Sequence, residues 1–175
     1  MTDWVDAFNN NLKNKLRDLG PYAIPNAAAR AYVYNALGVP QMTNRDFRPD
    51  EIAQAKEAWR NAQAEQGGRQ VKPIAVTPDN YKGKVAETTG IVKPLKNAIQ
   101  NPMRMTLGSM YVSPEGRVLN TKGGNYYYGD VYDFSPNVQT DPDFAKYYQA
   151  LQDFGTRVRN NVPPMLIDLN LKDNQ

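Results

Sequence analysis

The sequence predicts an α+β fold: an N-terminal helical layer, then a small antiparallel β-meander packed on a C-terminal helix. Three observations predict it. Apolar residues recur at the helical period through residues 1–67. From residue 69 the chain turns to short β-branched and aromatic runs punctuated by Gly and Pro. After Asp141 an apolar stripe at helical spacing returns. At 175 residues the chain has the size of one ordinary domain, so the parts 1–67 and 68–175 are expected to make one compact unit.

Thr2 can cap a first helix whose apolar positions are Trp4, Val5, Phe8, Leu12, Leu16 and Leu19, and Gly20-Pro21 ends it. A second helix is expected from Asn26 to Leu37, closed by Gly38 and Pro40. A third opens at Pro49 and places Ile52, Ala55, Trp59 and Ala62 on one face before Gly67-Gly68. Trp4 and Trp59 are expected as core anchors. Val71 to Val76 reads as a short strand, and Pro94 can start a short helix that stops before Pro102. Met103 to Val112 alternates as a strand, with a bulge at Gly108 where the phase shifts.

Ser113-Pro-Glu-Gly116 has the residues of a type I turn and should join that strand to Arg117–Asn120 in a hairpin. A second turn at Thr121–Asn125 leads to Tyr126–Phe134, a strand by its aromatic and β-branched content. Asp141 with Pro142 opens a last helix, whose stripe is Phe144, Tyr147, Leu151, Phe154 and Val158. Val162–Leu171 is expected to add an edge strand.

The chain has no Cys and no His. That excludes disulfides, thiol nucleophiles, His-containing triads and His-ligated zinc. Catalysis would have to run on Asp, Glu, Lys, Arg, Tyr, Ser or Thr, with a hard oxygen-ligated cation such as Mg²⁺. No apolar run approaches the roughly 20 residues that span a bilayer. The N-terminal residues show no signal-peptide pattern, so synthesis in the cytoplasm is expected, with delivery by a carrier.

Charge is unevenly placed. Residues 1–67 hold eight basic and eight acidic side chains. Residues 68–114 hold seven basic (Arg69, Lys72, Lys82, Lys84, Lys93, Lys96 and Arg104) against Asp79 and Glu87. Residues 115–175 hold six basic against eight acidic. The basic stretch can attract phosphates or an anionic membrane surface, or it can be a solvated face. No Walker loop, dinucleotide fingerprint or nucleic-acid module is present, and nucleic acid is not the expected partner.

The densest candidate for chemistry is Tyr126–Phe134. On one continuous strand Tyr128, Asp130 and Tyr132 would share a face, with Tyr127, Val131 and Asp133 opposite. Two acids in four residues suit a fraying strand end better than a strand interior. Asp130 and Asp133 could then open on one cleft, hold Mg²⁺ or serve as a base. Equally, Asp130 could face solvent while Asp133 caps the turn at Ser135-Pro136.

Thr106-Leu-Gly, a hairpin with a Gly-containing turn, and Asp130-Val-Tyr132-Asp133-Phe134 together resemble the catalytic domain of colicin M-type bacteriocins. The similarity covers about 30 residues and carries the first half of the Asp-x-Tyr-Asp…His-Arg signature; the second half is Gln139-Thr140. The resemblance implies an antibacterial toxin-like hydrolase acting in the periplasm with Mg²⁺. It would cleave the polyprenyl–pyrophosphate linkage of the peptidoglycan precursor lipid II. Asp133 would be the central acid, with Asp130 and Tyr132 beside it and Asp130 and Asp133 as metal ligands. Arg157 and Arg159 are the expected substitutes for the missing Arg, and Lys93, Lys96 and Arg104 are further candidates for the substrate phosphates. A phage particle or secretion system would be the carrier. The contrasting expectation is a non-catalytic phage virion structural or ejection protein, which buries exposed aromatic residues such as Tyr126, Tyr127 and Tyr128 against other virion proteins.

Overall fold

The computed structural model describes residues 3–82, 101–132 and 164–172. Helix α1 (Asp3–Leu19) stops at Gly20, whose φ of 72° takes the chain out of the helix. Helix α2 (Ala27–Ala36) is capped by Asn26, whose side-chain oxygen accepts from the Ala29 amide at 3.1 Å. Helix α3 (Pro49–Glu65) starts on a proline, and the Glu51 carboxylate reaches back to accept from the Arg48 amide at 2.8 Å.

Helices α2 and α3 turn small faces inward, Ala27 and Ala31 from one, Ala55, Ala58 and Ala62 from the other. The buried Tyr34 and Trp59 fill the space beside them. Trp59 is 7% exposed, and its indole N–H donates to Gln70 at 2.8 Å.

Trp4 does not join this core. It is 66% exposed, and Phe8, Leu12 and Leu19 stand out with it. Helix α1 touches the body towards its C-terminal end, through Leu16 and an Arg17–Asp46 ion pair of 3.3 Å. The helical period identifies an apolar stripe; it does not say what covers it.

The segment read as a bulged strand from Met103 is instead helix α4 (Pro102–Leu107), and Gly108 with φ 56° ends it. Positions 103 and 107 satisfy both an alternating and an i, i+4 pattern. Proline at the first helical position, and a bond from the Thr106 hydroxyl to the Pro102 carbonyl at 2.7 Å, favour the helix. Met103 and Leu107 are buried where α4 packs on α2 and α3.

Among the described residues two sheets accompany the helices. The strands are β1 (Gln41–Thr43), β2 (Ile74–Val76), β3 (Met110–Val112), β4 (Val118–Lys122), β5 (Asn125–Tyr128), β6 (Asp130–Val131) and β7 (Leu166–Asp168). The antiparallel meander runs β2-β3-β4-β5, and the smaller sheet runs β1-β7-β6. The β3–β4 turn is the expected one: the Gly116 amide donates to the Ser113 carbonyl at 2.9 Å. A Gly123-Gly124 turn with both φ positive joins β4 to β5.

Three expectations about strands are corrected. The first strand is confined to Ile74–Val76, and Val71 is exposed. Strand β7 is central rather than at an edge, parallel to β1 and antiparallel to β6. Tyr126–Phe134 is not one strand, because Gly129 (φ 80°) redirects the chain from the meander into the smaller sheet. The helices expected from Pro94 and Asp141 lie outside the described residues.

Candidate functional site

Asp130 owes its position to the sheet switch. The Gly129 amide still bonds the Val118 carbonyl of the meander at 2.8 Å, whereas Tyr132 already donates to Met165 at 2.9 Å beside β7. The Gly129 carbonyl is held by the Asn120 side chain at 2.6 Å. Past the switch Val131 is exposed, Asp130 half-buried, and Tyr132 5% exposed within the core. Tyr128 lies before the switch and is exposed, with the Arg117 guanidinium 4.7 Å from its ring. The expected common face of Tyr128, Asp130 and Tyr132 is therefore broken at Gly129.

The Asp130 carboxylate and the Arg104 guanidinium of α4 both act electrostatically on Tyr81. Tyr81 follows a short turn at Pro78–Asn80 that is fastened to α3: Asn80 donates to Glu65 at 3.0 Å, and Asn61 donates to the Asn80 carbonyl at 2.8 Å. Tyr81 is 6% exposed, and its hydroxyl has no hydrogen-bond partner among the described residues. Burial pushes its ionisation well above the ordinary value, the Asp130 carboxylate pushes it further, and the Arg104 guanidinium pulls it back. A carboxylate, a cation and a buried phenol thus share one electrostatic neighbourhood. Asn101, 4% exposed, precedes α4, and its side-chain nitrogen also lacks a partner among the described residues.

Asp133, Lys93, Lys96, Arg157 and Arg159 lie outside the described residues. Among the described residues no group of three or more Asp or Glu side chains is placed to hold a metal ion. Of the two carboxylates expected to hold Mg²⁺, Asp130 alone is among the described residues. Of the basic stretch, Lys82 is engaged with Glu57 at 2.6 Å. Among the described residues no helix is long and apolar enough to cross a membrane.

Sequence reasoning missed Tyr81 and Asn101. Each stands beside a turn or helix start, outside any periodic run, and carries no motif. Compared with protein-family models, curated proteins and solved structures, the chain matches none.

Proposed function

We propose that this protein is a cell-envelope-targeting hydrolase resembling colicin M, which cleaves the polyprenyl–pyrophosphate linkage of lipid II after delivery by a phage particle or secretion system. The observation that carries the reading is the Asp-x-Tyr-Asp half-motif at Asp130, Tyr132 and Asp133, whose first acid stands half-buried on β6 just past the Gly129 switch. Gln139-Thr140 supplies no cation for the substrate phosphates, and Arg104, which like Asp130 acts on Tyr81, is the candidate to do so. In this reading Asp130 takes a proton from the attacking water, and Arg104 meets the negative charge that builds on the phosphoryl oxygens. The polyprenol leaves as the alcohol and takes up the released proton.

The test is incubation of the purified protein with lipid II, with and without Mg²⁺, scoring release of the pyrophosphoryl headgroup. Wild type should release it, and Asp130→Asn, Asp133→Ala and Arg104→Gln should each lose most of that activity. No release by folded wild type, beside an active colicin M control, overturns the reading.

A second reading has its own support: Tyr126, Tyr127 and Tyr128 are all exposed on β5, as is the apolar stripe of α1. Such surfaces suit a non-catalytic virion structural or ejection protein that buries them on assembly. Its test is co-purification with phage particles, lost on changing the three tyrosines to serine.

A further inference from the structure

We propose that strand β5 is an assembly edge, which pairs antiparallel with β5 of a second copy of this chain about a two-fold axis at Tyr127. The pairing rests on neither reading of function.

The meander has two edges, and the sequence guards only one of them. Strand β2 buries Ile74 and Val76, packs on α3 and is flanked by Pro73 and Pro78. Strand β5 reads Asn-Tyr-Tyr-Tyr, with no charge and no proline, and its register against β4 runs without a bulge. All of its residues are exposed, Tyr128 by 67%.

The register also fixes which backbone groups are open. The Gly129 amide bonds the Val118 carbonyl, one step beyond the pairing of Tyr128 with Leu119. Bonded pairs alternate along an antiparallel ladder, so Tyr127 and Asn125 turn their amides and carbonyls to β4. Tyr126 and Tyr128 turn theirs to the open edge. Among the described residues no segment pairs with them there.

This pattern is complementary to itself. Laid antiparallel about Tyr127, Tyr126 of each copy meets Tyr128 of the other, and every open amide finds an open carbonyl. Tyr126 and Tyr128 share one face of the sheet, beside Tyr111 and Arg117, and Tyr127 lies on the opposite face. Aromatic rings therefore meet across the axis on both faces. Self-pairing also sets Tyr127 against its own copy, where a charge would meet its like. The strand carries none, although the whole chain has a net charge of +3.

The experiment uses the intact protein, whose sequence has no Cys. On the axis Tyr127 and its copy form a non-hydrogen-bonded pair with Cα atoms about 4.5 Å apart, within the span of a disulfide. Under mild oxidation Tyr127→Cys is expected to cross-link into a dimer, whereas Tyr22→Cys, exposed outside the sheet, stays monomeric. Sedimentation of the wild type should show a reversible dimer that grows with concentration. Tyr127→Lys and Tyr127→Glu should each weaken it about tenfold or more by setting like charges face to face. An equal mixture of the two should recover most of the association, which separates a lost contact from a lost fold.

A wild type that stays monomeric up to about 1 mM overturns the proposal. So does Tyr127→Cys that cross-links no more than Tyr22→Cys. A dimer that both charged variants leave unchanged overturns it too, and gives the interface to another surface such as the exposed stripe of α1.

Discussion

Arg30 donates to the Glu51 carboxylate with both side chains fully buried, joining α2 to α3 through an ion pair shielded from water. The same guanidinium donates to the carbonyls of Asp46 at 2.8 Å and Pro21 at 2.7 Å, and lies 5.8 Å from the Phe47 ring. Asp46 in turn accepts from the Thr43 amide at 2.9 Å and from Arg17 at 3.3 Å. One side chain therefore ties the loop after α1, both core helices and the turn that follows β1.

Removing one partner of this pair leaves the other charge buried without compensation. Glu51→Ala is expected to destabilise the protein by about 3–5 kcal/mol, with Arg30→Ala in the same range. Urea unfolding measures both. Replacing the two together by Met should cost less than the sum of the single changes, because the desolvated charges leave as a pair. A loss below about 1 kcal/mol in either single variant would show the pair to be solvated in solution.

The two tryptophans should behave in opposite ways. Trp59→Ala empties a packed site and is expected to cost about 3–5 kcal/mol. Trp4→Ser, on the exposed stripe of α1, should stay within about 0.5 kcal/mol of wild type. Denaturant midpoints of the two variants check the contrast. A large loss from Trp4→Ser would mean that another surface covers α1 in solution.

How far the fold could be read depended on whether its signals were local. Asn26, Gly38, Pro49 and Gly67 punctuate α2 and α3 within a turn of where the helices begin and end, so both helices were legible. Met103 and Leu107 were ambiguous because one spacing fits a helix and a strand alike, and packing on α2 and α3 decided between them. Strands β1 and β7 pair residues such as Gln41 and Leu166 across most of the chain, and no short-range pattern encodes that pairing. At the candidate site Asp130 was legible through its motif. Tyr81 was not, because a single aromatic after a Pro-Asp-Asn turn looks the same whether buried or solvated.

Two glycines are required by close approach as well as by backbone conformation. A Cβ at Gly116 (φ 84°) would lie 2.6 Å from the backbone nitrogen of Lys172. At Gly129 (φ 80°) it would lie 2.7 Å from Leu166 Cγ and 3.0 Å from both of its terminal methyls. Both Ala variants carry a left-handed penalty of roughly 1–2 kcal/mol. Gly116→Ala should cost more, since backbone yields less readily than a leucine side chain. Adding Leu166→Ala should recover part of the steric cost of Gly129→Ala and none of that of Gly116→Ala. Equal losses in the two single variants would count against this ranking.

The buried tyrosines are expected to lower stability at alkaline pH. In Tyr81, burial first and the Asp130 carboxylate second raise the folded-state ionisation above the ordinary 10.0, with Arg104 opposing; in Tyr34, burial first and Asp46 second do the same. A raised folded value means that the native state keeps these protons where the unfolded chain has lost them. Their contribution is therefore complete below about pH 10 and declines as the pH rises beyond it, because the unfolded state then gains by ionising. Urea midpoints should be flat in this respect from pH 7 to 9 and fall from about pH 10 upward. Tyr81→Phe should lessen that fall while leaving neutral-pH stability equal to or above wild type, since it also removes an unpartnered hydroxyl. A Tyr81→Phe variant with an unaltered alkaline slope would mean that the phenol titrates in water, and that the buried neighbourhood it shares with Asp130 and Arg104 does not form.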